Sequence, residues 1–433
     1  MFEVKEKPRQ VESALLIGIQ RPGMDANEGD QLLDELNDLV ETLGIEIRGR
    51  RMLTLREPNP HYLIGKGNAI KIIEQVKAEK IELIVFDDDL SPAQQRNWES
   101  ESGVCVIDRQ EVILDIFGQR ATTREAKLQV TLAQLNYSLP RLKRAWTHLH
   151  RQRGGGTLMR GQGETQLEAD RRMVQTRIAR VRKDLASVLK QRSIQRKKRL
   201  KKPVPTTAIV GYTNAGKSSL LNAITGASVL AEDKLFATLD PTTRQCHLPT
   251  GQKLLLSDTV GFLRRLPHDL VDAFRATLEE AVVSDFLIHV LDLTHPEVEK
   301  HHETTMEVLT SLGAHEKRII TVFNKVDLCE GNDLRLHSLR LQAPNSCFVS
   351  ASSGKGIDEL LQKCATMIAD EVVELDLLVP HDRYDVINKL HEVDCIRDKQ
   401  TEPDGVHLQC LLPVQLRKEV SEFIINGESA LAI

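Results

Sequence analysis

Short apolar runs alternate along this chain with segments whose apolar positions return every three or four residues. In the first part, 15–19, 81–86 and 104–107 have the dense apolar content of strands, while 30–43 and 69–80 have the period of amphipathic helices. The alternation predicts a small α/β domain with a parallel sheet over residues 1–120. From residue 203 the alternation resumes. Strands are expected at 203–210, 254–257, 285–291, 319–324 and 346–350, with helices at 217–224, 267–283, 297–312 and 356–371. That order makes 203–372 a doubly wound α/β sheet, a fold that takes ligands at the carboxyl ends of its strands. Residues 373–433 change character. Strands at 374–379, 393–396 and 406–412 with a helix at 383–391 predict a small α+β domain that carries no recognisable chemistry.

Between these regions the period becomes that of a heptad. Leu128, Leu132, Leu135, Leu139, Leu142, Trp146 and Leu149 recur at spacings of four and three. Val174, Ile178, Val181, Leu185 and Val188 do the same, seven residues after Leu167. The stretch 151–164 between the two seams is too rich in glycine to be helix. The pattern predicts an antiparallel helical hairpin over 121–202, an arm with a Gly/Arg-rich tip, and Pro140 predicts a kink or break in its first helix. Charge sharpens this picture. Residues 141–202 hold 20 Lys and Arg against 4 Asp and Glu, a local charge of +16, which leaves −20 elsewhere in a chain whose total is −4. So uneven a distribution points to a polyanionic partner for the arm. A small cationic tip that exposes backbone suits a folded RNA read by shape, and Arg151, Arg153 and Arg160 are its candidate contacts.

The candidate chemistry lies at the ends of the second set of strands. Gly211-Tyr212-Thr213-Asn214-Ala215-Gly216-Lys217-Ser218 fits the phosphate-loop pattern, whose backbone N–H groups cradle phosphates at a helix N-terminus. Lys217 places a cation at the β- and γ-phosphates, and the Ser218 hydroxyl is placed to ligate Mg²⁺. Asp258-Thr259-Val260-Gly261 follows an apolar run; the aspartate suits the surroundings of the metal, and the Gly261 N–H can meet the γ-phosphate. Asn324-Lys325-Val326-Asp327 narrows the base to guanine, because the Asp327 carboxylate can accept both N1–H and the exocyclic amine, a donor pair adenine lacks. Ser350-Ala351-Ser352 completes the order after a further strand. Together with Thr238, which stands between the first two of these motifs, these residues imply a site for GTP and Mg²⁺, with Lys217, Thr238 and Gly261 in the catalytic set.

At 433 residues, 41% hydrophobic and 28% charged, the composition is that of a soluble globular protein. No apolar run reaches the length of a membrane span, so none is expected. Seven cysteines without metal or pairing pattern suggest free thiols in a reducing cytosol. A cytoplasmic monomer is the expectation. Two signals in the first domain are weak. Asp87-Asp88-Asp89 after a strand is read as a polar turn rather than a metal site, and Gly65-Lys66-Gly67 at a helix start is a poor phosphate signature.

With these motifs in place, the chain resembles the HflX family of translation-factor-class GTPases over essentially its whole length. The resemblance rests on the phosphate loop, on 236–242 (FATLDPT) and 258–262 (DTVGF), and, outside the GTP-binding region, on 161–168 (GQGETQLE) and 90–97 (LSPAQQRN). It implies a cytoplasmic GTPase that binds the large ribosomal subunit and splits stalled ribosomes under stress, with the hairpin tip near the peptidyl-transferase region. It also implies that Phe236, Ala237, Thr238, Leu239 and Asp240 lie against the nucleotide, and that Thr238 joins Mg²⁺ only when the γ-phosphate is present. Phe262 stands where many GTPases carry a glutamine that orients water, which predicts slow hydrolysis until the ribosome supplies the alignment. Asn214 resembles the asparagine that holds K⁺ in some related GTPases. Arg264 and Arg265 close behind are read as surface charge on a switch segment. The rival reading is an RNA-remodelling enzyme with a second nucleotide site in the first domain.

Overall fold

A computed structural model describes residues 11–25, 27–142, 163–199, 204–226, 235–236, 239–265, 278–329, 339–340, 343, 345–369, 372–393, 395–413 and 416–429. Three sheets organise these residues. The first is built by β1 (Ser13–Gln20), β2 (Glu46–Thr54), β3 (Leu83–Phe86) and β4 (Cys105–Asp108), all parallel in the order β2-β1-β3-β4. β1 is buried on both faces, as a central parallel strand covered by helices must be. On one face Leu15, Ile17 and Ile19 pack with Ile72 and Val76 of α2 (Lys66–Glu79) and Trp98 of α3 (Pro92–Ser102). α1 (Glu28–Thr42) buries Leu32, Leu33, Leu36, Leu39 and Val40 and packs on β1, β2 and α4 (Arg109–Arg120). α3 starts at a capping box: Ser91 Oγ accepts from Gln94 N, while Gln94 Oε1 accepts from Ser91 N.

The carboxylates at the strand ends of this sheet are spoken for. Arg109 is buried between Asp87, at 2.7 Å, and Glu35, at 2.6 Å, and Arg21 pairs with Asp88 at 2.5 Å. A polar turn is thus the structure of Asp87-Asp88-Asp89, and among the described residues no acidic cluster is arranged for a metal. Buried Asp108 joins the sheet to α5 (Arg124–Ser138): the Tyr137 hydroxyl donates to it at 2.9 Å, and Arg141 reaches it at 3.3 Å while donating to the Leu90 carbonyl at 2.8 Å. α5 ends one residue before a 3-10 turn over Leu139–Arg141, so the helix breaks at Pro140 as its ring requires. The leucine stripe of α5 is a correction. Leu128, Leu132 and Leu135 are only half-buried, and the buried stripe is Ala126, Val130, Ala133 and Tyr137, because α5 turns that side to α4. The long α6 (Gly163–Arg199) follows, with Ile178 and Val181 buried as the heptad predicts. The tip arginines Arg151, Arg153 and Arg160, and the seam residues Trp146 and Leu149, lie outside the described residues.

The second sheet has the order β10-β9-β8-β5-β7-β6. β5 (Thr206–Gly211), β7 (Lys253–Asp258), β8 (Phe286–Asp292), β9 (Arg318–Asn324) and β10 (Ser346–Phe348) run parallel, and β6 (Thr242–His247) closes one edge antiparallel to β7. α7 (Lys217–Thr225) and α8 (Val298–Ser311) connect strands of this sheet, and α9 (Ile357–Ala369) follows its last strand, β10. Of the helix expected at 267–283, residues 278–283 are helical and 266–277 lie outside the described residues.

The third sheet is antiparallel in the order β12-β13-β11-β14, from β11 (Val372–Val379), β12 (Ile396–Glu402), β13 (Gly405–Pro413) and β14 (Ile424–Ser429), with α10 (Tyr384–Val393) burying Ile387 and Leu390. The strand expected at 393–396 is corrected. α10 runs to Val393, and the strand is the charged segment Ile396–Glu402, an exposed edge that among the described residues pairs with β13. All seven cysteines are free thiols. Among the described residues no helix is long and apolar enough to cross a membrane.

Candidate functional site

β5 lies at the centre of the second sheet, hydrogen-bonded to β7 on one side and β8 on the other. The chain leaves its carboxyl end through Tyr212–Gly216 and enters α7 at Lys217, so the expected strand, loop and helix are all present. Asn214 and Gly216 both take left-handed backbone, at φ 57° and 90°. At Gly216 a Cβ would meet the Asn324 side-chain nitrogen at 2.2 Å, so only glycine lets the loop pass there. The α7 N-terminus therefore opens onto a loop of backbone N–H groups, the arrangement that binds phosphate.

Lys217 is buried, and its ammonium donates to the Tyr212 carbonyl at 2.7 Å. Burial pushes its pKa down to about 8, against an upward pull from Asp258. Ser218 Oγ donates to Asp258 Oδ2 at 2.6 Å, which brings together the hydroxyl and the carboxylate expected around Mg²⁺. This oxygen-only pair has the hardness that Mg²⁺ prefers, so the residues fit the ion. Thr259 is fully buried with its hydroxyl on the Ile209 carbonyl at 2.7 Å. Gly261 is pressed against the loop: a Cβ there would lie 2.7 Å from Thr213 Cα and 3.0 Å from Lys217 Nζ. Any side chain would push the segment away from the cation, so glycine keeps its N–H within reach of a terminal phosphate. Phe262 is fully buried, and its backbone is bridged to the loop, with Thr213 N donating to Phe262 O at 2.8 Å and Phe262 N to Gly211 O at 3.1 Å.

The residues expected from the sequence to meet a base converge on the same loop. Asn324, at the end of β9, donates to the Ala215 carbonyl at 2.9 Å and accepts from Ala351 N at 3.1 Å. It ties the phosphate loop to the Ser350-Ala351-Ser352 turn. Lys325 takes left-handed backbone and pairs with Asp292 at 2.7 Å, a partner at the end of β8 that no motif announced. Val326 N donates to the Val349 carbonyl at 3.2 Å, which locks the two segments together. Asp327 is exposed and accepts from Ser352 Oγ at 3.2 Å; its pKa is lowered by the Ser350 hydroxyl first, then by Ser352 and Lys325. An exposed carboxylate held ionised is what a guanine edge needs. Phe236 and Leu239 are buried, with Phe236 N donating to Thr213 Oγ1 at 3.1 Å, and Asp240 follows. Ala237 and Thr238 lie outside the described residues.

Four family models match in succession: "GTP-binding GTPase N-terminal" over 30–118, "GTP-binding GTPase Middle Region" over 120–199, "50S ribosome-binding GTPase" over 206–325 and "HflX C-terminal domain" over 337–423. A relative from Akkermansia muciniphila, "GTPase HflX", is 46% identical over 98% of this chain and 100% of its own length. The chain belongs to the HflX family of GTPases. The Escherichia coli "GTPase HflX" is 44% identical over 88% of this chain and 90% of its own, and that of Chlamydia pneumoniae 40% over 98% and 90%. Like other members of the HflX family, this chain is a GTP-hydrolysing enzyme. The exposed Asp327 carboxylate, in a segment tied to the phosphate loop through Asn324, is compatible with that activity.

Proposed function

We propose that this HflX-family GTPase holds GTP with Mg²⁺ at the carboxyl ends of β5, β7 and β9, binds the large ribosomal subunit through its basic arm as a monomer, and dissociates stalled or idle ribosomes. The observation that carries the nucleotide assignment is Asn324, whose side chain joins the phosphate loop at Ala215 to the Asp327 and Ser350-Ala351-Ser352 segments in one hydrogen-bonded unit. In this reading the 211–216 loop and Lys217 bind the phosphates, and Ser218 and Thr238 would hold Mg²⁺ with Asp258 behind the Ser218 hydroxyl; the ion would offset negative charge on the phosphates. Asp327 reads the base. Gly261 reports the γ-phosphate through its N–H. Buried Phe262 offers no group to orient water, so hydrolysis in isolation is slow. Asn214, exposed at the turn of the loop, is assigned to K⁺, and equal rates in K⁺ and Na⁺ would refute that.

The ribosomal assignment is supported by the description of the matching GTPase model and by α6. Arg171, Arg172, Arg177, Arg180, Arg182, Lys183 and Lys190 are all exposed on it. They make a cationic surface suited to phosphate backbone, and the candidate contacts Arg151, Arg153 and Arg160 add three cations to the same basic region of the sequence. Co-sedimentation with large subunits in a non-hydrolysable GTP analogue tests this. Affinity is expected to fall steeply between about 50 and 200 mM salt, and more weakly for an Arg153→Ala/Arg160→Ala variant. Salt-independent binding, or none, would remove the ribosomal RNA from the mechanism.

A further inference from the structure

Tyr212, the second residue of the phosphate loop, makes three connections at once. Its carbonyl accepts the Lys217 ammonium at 2.7 Å. Its backbone is bridged to Phe262, immediately after Gly261. Its hydroxyl accepts the backbone N–H of Arg264 at 2.9 Å. The ring itself is buried, stacked flat on His301 of α8 with centroids 3.7 Å apart and planes at 4°. The His295 ring packs tilted against His301, with centroids 4.2 Å apart. The Arg264 guanidinium is in turn held by Glu297 at 2.8 Å, and Glu297 also pairs with Lys300 at 2.8 Å and takes its own N–H to His295 Nδ1 at 3.1 Å. The chain turns through left-handed backbone at Arg265, directly past the last of these bonds.

We propose that Tyr212 is a positioning residue that, with Arg264 and Glu297, latches the segment after Gly261 to the phosphate loop and to the start of α8. The latch holds the Gly261 N–H where a γ-phosphate would arrive, and it engages Arg264 in a structural pair instead of leaving it as a cation for the transition state. The stack is neutral: burial, then His295 and Arg264, push His301 down to about 3. It is therefore a fixed platform for Tyr212 rather than a proton switch. The inference rests on the nucleotide site proposed above.

Tyr212→Phe keeps the stack and removes only the hydroxyl; Tyr212→Leu removes both. For the full chain, melting temperature, GDP affinity and single-turnover GTP hydrolysis are compared. The latch predicts that Tyr212→Phe melts like the parent and keeps GDP affinity, but hydrolyses GTP about fivefold to tenfold more slowly at unchanged KM, the scale of one lost hydrogen bond. Glu297→Gln loosens the same segment, so adding it to Tyr212→Phe costs no more than the larger single effect. Parent-like turnover by Tyr212→Phe, with only Tyr212→Leu impaired, makes Tyr212 a packing residue and overturns the latch. Equal loss of GDP and GTP affinity in Tyr212→Phe overturns it too. A parent chain that binds no GDP overturns the underlying site and the latch with it.

Discussion

Two sheets in this chain, one parallel and one parallel but for an edge strand, end their strands in opposite ways. In the first, the carboxylates that follow β3 are closed off by arginine: Asp87 by buried Arg109, Asp88 by Arg21. The glycine that opens α2, Gly65, has ordinary backbone at φ −62°, and a Cβ there would meet nothing within 4 Å. In the second, glycines pass where a side chain would collide with Asn324 or Thr213, and the strand-end carboxylate of Asp258 faces a hydroxyl and a buried ammonium. A strand end filled by an ion pair is structure; a strand end that can only be glycine, beside an under-solvated cation, is a place for an anion. The same α/β architecture yields strand ends closed by ion pairs in one case and a candidate anion site in the other.

The comparison breaks most visibly at the cations. Lys217→Ala is expected to lower GTP affinity by about a hundredfold or more, since a charge-assisted phosphate contact is lost from a dry loop, while Gly65→Ala changes it less than about twofold. Nucleotide titration by fluorescence reads both, and a Gly65→Ala variant that loses GTP would assign phosphate binding to the wrong sheet. Next in size is base choice. Asp327→Asn presents an amine where the guanine edge also donates, so GTP affinity should drop about a hundredfold while xanthosine triphosphate gains, and a competition assay that still ranks GTP first would remove Asp327 from base recognition. In the first sheet, Arg109→Ala leaves Asp87 and Glu35 buried without their cation, which should destabilise that region by about 3–5 kcal/mol. Denaturant unfolding would register this while nucleotide affinity stays level.

The smallest effect concerns pH. Lys217 has a folded pKa lowered from 10.5 to about 8, so the nucleotide-free site loses its charge as pH rises through 8. A bound phosphate favours the charged form and raises that value. Binding above pH 8 must then take up a proton, and GTP affinity should weaken by up to about tenfold per pH unit there. Calorimetry in two buffers of different ionisation enthalpy counts the proton; an uptake of zero at pH 9 would mean that the ammonium is not the buried cation that phosphate meets.

The sequence made the central strands legible, because β1, β3, β8 and β9 are buried on both faces and their apolar runs say so. It hid the edges. β2 (EIRGRRMLT), β6 (TTRQCH) and β12 (IRDKQTE) pair on one side and face solvent, so charged and polar residues are compatible with them and no period stands out. α3 is almost wholly polar, and only the Ser91/Gln94 cap marks it. At the site, the phosphate loop, Asp258, Gly261, Asn324 and Asp327 were legible because ligand chemistry fixes their types and spacing. Asp292, Glu297 and His301 were not: they come from the end of β8 and the start of α8, where only the fold brings them to Lys325, Arg264 and Tyr212.

The most direct test of the whole account is GTP turnover by the full chain with and without purified large ribosomal subunits. Slow hydrolysis alone is expected, with stimulation of about a hundredfold by the subunits, the scale of supplying one missing transition-state interaction, and that stimulation is lost in Arg153→Ala/Arg160→Ala. Fast turnover by the chain alone, or turnover indifferent to the subunits, would contradict the account.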